Sequence, residues 1–250
     1  MTTYGLIGYP LGHSFSKAFF SRKFAAEKMD AEYVNFETGD VRELKNIVHK
    51  TPSLCGLNVT IPYKTAIIPL LDEIDDEAHA IGAVNVIQFI RDHKGELKMK
   101  GFNSDVIGFV NSIRPLLNEI HRKALILGTG GASKAVFHGL QRLGIEAMFV
   151  SRGKHDGCIT YDEITPQLIE NHTVIVNTTP LGMFPHTEGR PNIPYNLLTP
   201  SHLLYDLVYN PEQTLFMQKG RERGAIVKNG LEMLILQAEE SWRIWNSDIF

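Results

Sequence analysis

The chain is short of cysteine, of long apolar runs and of net charge, and each shortage removes a class of protein. Its two cysteines, Cys55 and Cys158, stand far apart and beside no metal-ligand or redox spacing. They read as free thiols in a reducing compartment rather than as a disulfide framework. The histidines are scattered, with no HxH or HxxxH pair, so no metal is expected. No apolar run approaches membrane-spanning length, and the N-terminal MTTYGLIGYPLGHS has neither the basic start nor the apolar core of a signal peptide. A cytoplasmic protein is expected. With 28 acidic and 25 basic side chains and a formal charge of −3, the chain has no general attraction for nucleic acid or an anionic membrane. No basic or aromatic stripe, internal repeat or low-complexity tract compensates. A small-molecule ligand is the expected partner.

What remains is an ordinary globular composition, 43% hydrophobic and 21% charged over 250 residues, enough for one large α/β domain or two smaller ones. Strand and helix patterns alternate. Tyr4–Ile7 reads as a strand, Ser16–Lys28 as a helix capped by its serine, Ala31–Phe36 as a strand, and Asp40 with Glu43 as a capping box opening a helix to about Lys50. A helix over Asp75–Ile81 follows, and then Ala83–Ile90 and Glu96–Met99, joined by the turn-like Asp92–Gly95, read as a hairpin. From Lys123 the strands become continuously apolar, as in a parallel sheet covered on both faces: ALIL from Ala124, AMFV from Ala147, TVIV from Thr173, HLLYDLV from His202 and AIV from Ala225. The boundary falls near Asn103–Asp105, where the hairpin gives way to a linking helix. The fold class is therefore α/β, with mainly parallel sheets.

Two segments carry chemistry. In GLNVTIPYK, residues 56–64, an apolar alternation ends at Pro62, which places Asn58, Thr60 and Lys64 at or beyond a strand end. An amide, a hydroxyl and an amine there suit a polyhydroxylated acid, although a lone lysine is ordinarily a solvated charge. GTGGAS, residues 128–133, lies between a buried-type strand and a helix whose apolar face includes Ala132, Val136, Leu140 and Leu143, with Gly144 as its stop. Gly128, Thr129, Gly130, Gly131, Ala132 and Ser133 would let backbone amides approach a pyrophosphate at a helix N-terminus, Ser133 standing where a third glycine is usual. About twenty residues on, where NAD-binding chains carry an acid, this one has Ser151, Arg152 and Lys154. Two cations and a hydroxyl suit a phosphate ester, which selects NADP.

GLIGYPLGHSFS, GLNVTIPYK, IGAVNVI, GFNSD, GTGGAS, VNTTPLGM, DLVYNP and NGLEMLILQA occur in this order and span nearly the whole chain. In this the sequence resembles the shikimate dehydrogenases. The resemblance implies NADPH-dependent reduction of 3-dehydroshikimate to shikimate in aromatic amino-acid biosynthesis, by a monomer or homodimer. It implies a substrate domain over residues 1–104, completed by a returning C-terminal helix at 231–250, and a Rossmann-like NADP-binding domain over 105–230, with a cleft that closes on the ligands. Position by position, it implies substrate contacts at Ser14, Ser16, Asn58, Thr60, Lys64, Asn85, Asp105, Tyr209 and Gln237, and nicotinamide-side contacts at Asn177, Thr178, Met183, Gly230 and Met233. The chain departs from the family's commoner wording at Lys17, Phe20 and Ser21, at Ser104, and at Ser151–Gly153.

The chemistry follows from the groups. Hydride transfer to a ketone builds negative charge on oxygen, and the Lys64 ammonium can stabilise it and supply the proton. Asp105 suits positioning the lysine and a substrate hydroxyl. Uncharged donors at Ser14 and Ser16 suit the carboxylate, while Asn58, Thr60, Asn85 and Gln237 both donate and accept toward hydroxyls. Two other readings stand: a quinate/shikimate dehydrogenase using NAD, and a non-catalytic NADP-responsive binding protein on the same scaffold.

Overall fold

The computed structural model describes residues 1–12, 14–91 and 96–247. The turn predicted over Asp92–Gly95, His13 and residues 248–250 of the predicted C-terminal helix lie outside them. Contacts divide the chain into two units, Met1–Ser104 with Ala238–Phe250, and Asp105–Gln237.

In the first unit the described elements are β1 (Thr2–Gly8), α1 (Phe15–Ala26), β2 (Ala31–Glu37), α2 (Leu44–Lys50), β3 (Leu54–Val59), α3 (Tyr63–Ala66), β4 (Glu73–Ile74), α4 (Asp76–Ile81), β5 (Val86–Arg91) and β6 (Leu97–Phe102). They form a sheet in the order β2-β1-β3-β5-β6-β4. β1 is parallel to β2 and β3, and β4 to β6, whereas β5 is antiparallel to β3 and β6. The sheet is thus mixed rather than mainly parallel, because the predicted hairpin of β5 and β6 is inserted with β5 also antiparallel to β3. Both faces are covered because successive residues point opposite ways. Tyr4 and Leu6 join Phe20, Phe24 and Trp245 on one side, and Ile7 joins Leu44, Leu57, Tyr63 and Ile67 on the other.

Two predicted helix starts move. α1 is capped by Ser14, whose Oγ accepts from the Lys17 N–H at 3.2 Å, and Ser16 lies inside the first turn. The Asp40 box is replaced by a 3-10 turn over Val41–Glu43. In that tighter turn the Asp40 carboxylate takes the Arg42 N–H and guanidinium, and Glu43 instead accepts from Asn46 at 3.0 Å.

The second unit contains α5 (Asp105–Ile113), β7 (Lys123–Leu127), α6 (Gly131–Arg142), β8 (Glu146–Ser151), β9 (Cys158–Thr160), α7 (Pro166–Asn171), β10 (Val174–Asn177), β11 (Leu203–Asp206), α8 (Leu215–Arg221), β12 (Ile226–Lys228) and the start of α9 (Leu231–Trp245). The strands are all parallel in the order β12-β11-β10-β7-β8-β9. From β7 the chain winds outward through β8 and β9, then returns to β10 and winds the other way. Between the carboxyl ends of β7 and β10 lies the point where this direction reverses, the usual ligand crevice of a doubly wound sheet. Leu125, Leu127, Ile175, Leu204 and Phe216 fill the core beneath it. No helix among the described residues is long and apolar enough to cross a membrane.

Candidate active site residues

In the first unit the candidate polar groups gather beyond the carboxyl end of β3. Asn58 is the penultimate residue of that strand and Thr60 follows it, held by a bond from its N–H to Ile7 O at 3.0 Å. Lys64 is half-buried on the single turn α3, and its carbonyl accepts from the Val84 N–H at 2.7 Å. That bond brings the lysine turn beside Asn85. The Asn85 carbonyl accepts in turn from the Val59 N–H at 2.8 Å.

Beneath these groups runs a buried polar chain. The Ser16 hydroxyl lies close to that of Tyr33, and Tyr33 donates to Asn58 Oδ1 at 2.8 Å. Asn58 Nδ2 donates to Ser241 Oγ at 3.0 Å and to Asn85 O at 3.3 Å. Ser241 and Ser104 share a bond at 3.2 Å, and Ser104 and Asn85 exchange bonds through the Ser104 N–H and the Asn85 amide at 2.7 and 3.0 Å. Burial pushes the Tyr33 phenol far above its usual range, so it remains a donor. Both N–H groups of Asn58 and one of its carbonyl lone pairs are engaged internally. Tyr33 and Ser241 are missing from the sequence reading, which has Ser104 only as a departure from the family's commoner wording. Ser104 stands inside GFNSD, and Ser241 lies one helical turn after Gln237, a spacing that puts both on one face.

In the second unit Asp105 opens α5 and is buried. Gln237 is half-buried on α9, and a Cβ added to Gly108 would stand 3.0 Å from its Cβ. Tyr209 is half-buried, and burial raises its phenol above the ordinary value.

The glycine loop leaves β7 at the reversal point. Gly128 has φ +112°, which a side chain would disfavour, and a Cβ there would meet Thr178 Oγ1 at 2.7 Å. Gly130 precedes α6 with no side-chain cap, and a Cβ on it would meet nothing within 4 Å. Open space thus lies beside Gly130 at the positive end of α6, where the Ser133 N–H is bonded to Gly130 O at 3.1 Å while the N–H groups of Gly131 and Ala132 precede it, which fits a pyrophosphate. Thr129 is exposed, Gly131 and Ala132 are partly so, and Ser133 is fully buried with its hydroxyl turned back to Gly130 O at 2.6 Å.

After β8, the buried Ser151 hydroxyl donates to Gly153 O and shapes the turn, so it is engaged before any ligand arrives. Arg152 and Lys154 are exposed on that turn, beside Tyr161 and Glu163 respectively. Those cations, and no acid at that strand end, fit a phosphate on the adenosine ribose. Of the remaining candidates, Thr178 is bonded through its hydroxyl to Leu127 O at 2.8 Å, Met183 is exposed and Met233 is buried. Gly230 packs so closely that a Cβ would lie 2.2 Å from Leu207 O. Asn177 is fully buried with its amide occupied by Asp206, Thr179 and Leu181.

The family described as shikimate dehydrogenase substrate binding domain matches residues 6–87. The shikimate dehydrogenase (NADP(+)) of Methanosphaera stadtmanae is 35% identical over 260 residues, covering 96% of this chain and 90% of that protein. Among solved structures, shikimate 5-dehydrogenase from Thermus thermophilus in complex with NADP(H) and shikimate superposes with a TM-score of 0.84 at 27% identity, over 98% of this chain and 94% of the other. Quinate dehydrogenase from Corynebacterium glutamicum in complex with NAD gives 0.82 at 27% identity, over 98% and 93%. With over 30% identity along nearly its whole length, the chain belongs to the shikimate dehydrogenase family.

Proposed function

We propose that this chain is an oxidoreductase of the cytoplasm that reduces 3-dehydroshikimate to shikimate reversibly with NADPH. The observation that carries it is the clustering of Thr60, Lys64 and Asn85 beyond the end of β3, beside a buried polar chain that ends on Asn85. The first unit supplies most of the substrate contacts, and the second supplies the cofactor site together with Asp105, Tyr209 and Gln237.

Bound NADPH supplies a hydride to the ketone carbon. As the carbonyl bond opens, its electron pair moves onto oxygen, and Lys64 stabilises that charge and delivers the proton that completes the alcohol. Ser14 and Ser16 donate to the substrate carboxylate. Thr60, Asn85 and Gln237 meet the hydroxyls, with Asn58 behind Asn85. Asp105 orients the lysine and one hydroxyl, and Tyr209 lies near both ligands. Backbone N–H groups at residues 130–132 hold the pyrophosphate, Arg152 and Lys154 hold the adenosine phosphate, and Thr178, Met183, Gly230 and Met233 border the nicotinamide.

The test follows nicotinamide absorbance with shikimate and quinate, each against NADP and NAD. Turnover with shikimate and NADP is expected. Quinate with NAD as the best pair would favour the quinate reading, and tight shikimate binding without turnover a binding protein. Lys64→Ala should lower turnover roughly 10² to 10⁴-fold, as for loss of a positioned proton donor, with NADP affinity unchanged. Near-normal turnover would remove Lys64 from the mechanism.

A further inference from the structure

Asp206 takes no part in the reaction above, yet it is a fully buried acid at the carboxyl end of β11. Its Oδ1 accepts from Asn177 Nδ2 at 2.9 Å and from the Val208 N–H at 3.0 Å, and its Oδ2 from Thr214 Oγ1 at 2.5 Å. Among the described residues no salt bridge reaches it, and burial pushes its carboxyl up to about 6 despite those three donors. Such a group is costly to bury, which directs attention to what its polarity organises.

Asn177 and Asp206 are register partners on adjacent strands. An ionised carboxylate only accepts, so Asn177 must turn its NH₂ toward it and its carbonyl the other way. That carbonyl takes the Thr179 N–H at 3.0 Å and the Thr179 hydroxyl at 2.7 Å, while Thr179 Oγ1 accepts from the Leu181 N–H at 3.3 Å. The turn so fixed is the one that approaches Gly128. Thr178 bonds Leu127 O through both its N–H, at 3.0 Å, and its hydroxyl, at 2.8 Å, and a Cβ on Gly128 would stand 3.0 Å from Thr179 Cγ2.

We infer that Asp206 is a positioning residue for the dinucleotide loop, setting the polarity of the Asn177 amide and thereby holding the 178–181 turn against Gly128. The inference rests on the reading of residues 128–133 as the pyrophosphate site. An asparagine at 206 could offer either a donor or an acceptor, so the strongest acceptor facing the Asn177 NH₂ is lost and only the Thr179 N–H and the Leu181 carbonyl still favour the same orientation. A merely structural role would lower stability without selecting between ligands.

Calorimetric titration of the full chain with NADP and, separately, with shikimate tests it. Asp206→Asn should weaken NADP binding about tenfold, the scale of one hydrogen bond to a charged group, and leave shikimate binding within about twofold. Thr179→Val, at a partly exposed site, should weaken NADP selectively too, and carries the test if the first variant does not fold. Combining them should give less than the product of the single losses, because both act through one amide. Unchanged NADP affinity, equal weakening of both ligands or independent losses would each overturn the inference. Failure of the wild-type chain to bind NADP would instead overturn the reading of the loop.

Discussion

Tyr33 isolates the contribution of one hydroxyl. Its ring stacks on Phe20 with centroids 4.9 Å apart at 10°, inside a cluster with Trp245, so Tyr33→Phe keeps the packing and deletes only the donor to Asn58 Oδ1 and the neighbour of Ser16. A buried carbonyl without a donor costs roughly 1–3 kcal/mol, which urea unfolding followed by tryptophan fluorescence would read. The Michaelis constant for shikimate should rise severalfold with NADP affinity unchanged. A variant indistinguishable from wild type in both would mean that the chain from Ser16 to Asn85 does not organise the site. At this scale the sequence identified residue types well and their partners poorly. NVTIPYK announces Asn58 and Lys64, but nothing in it says that Asn58 spends its amide on Tyr33, Ser241 and Asn85, because those partners come from β2, α9 and the β5 approach. Ser14 enters the sequence reading only as a substrate contact implied by the resemblance, and the cap expected at Ser16 falls on it instead.

Elements were legible where burial writes a long signal. The continuous runs of β7, β10 and β11 are buried on both faces and carry their own evidence, and Gly144, at φ +73°, ends α6 as its position predicts. β9, of three residues, and α7 and α8, of six and seven, are too short for a periodic pattern, and their caps at Thr165 and Thr214 are single hydroxyls. The end of α9 is held by side chains distant in sequence: Trp245 Nε1 donates to Ile87 O at 3.1 Å, and Gln88 Nε2 to Ile244 O at 2.7 Å. Gly56 on β3 is what admits the indole, since a Cβ there would meet three of its ring atoms at 2.5 Å. Gly56→Ala should therefore destabilise the first unit by roughly 1–3 kcal/mol, the usual scale of overpacking. Amides of the Ala238–Trp245 part of α9 should exchange faster with deuterium, and unchanged protection there would show that the ring moves aside at no cost.

At the scale of the molecule, the strand order of the second unit places the reversal point, and hence the glycine loop, without any ligand. Among the buried titratable groups of the same unit, His121, His172 and Asp206 pull stability in opposite directions with pH. His121 and His172 have pKa values lowered below 6.5, in each case mainly by burial, so their contribution is intact above 6.5 and declines as pH falls and the unfolded chain takes up protons. Asp206 is raised from 3.8 to about 6. Its contribution is most favourable below the unfolded value of 3.8 and is lost as pH rises through about 6, because only the folded state holds the proton in between. Comparing wild type with Asp206→Asn cancels the histidines, which both proteins share. Relative to the variant, wild type should gain about 2 kcal/mol between pH 7.5 and pH 4.5, from 1.36 kcal/mol per unit of pKa difference. Both tryptophans, Trp242 and Trp245, belong to the first unit, so their fluorescence would follow the wrong part of the chain. Exchange of the β10 and β11 amides, compared between the two proteins at each pH, reports the second unit directly. A difference between wild type and variant that does not change with pH would mean that Asp206 titrates as an ordinary carboxylate.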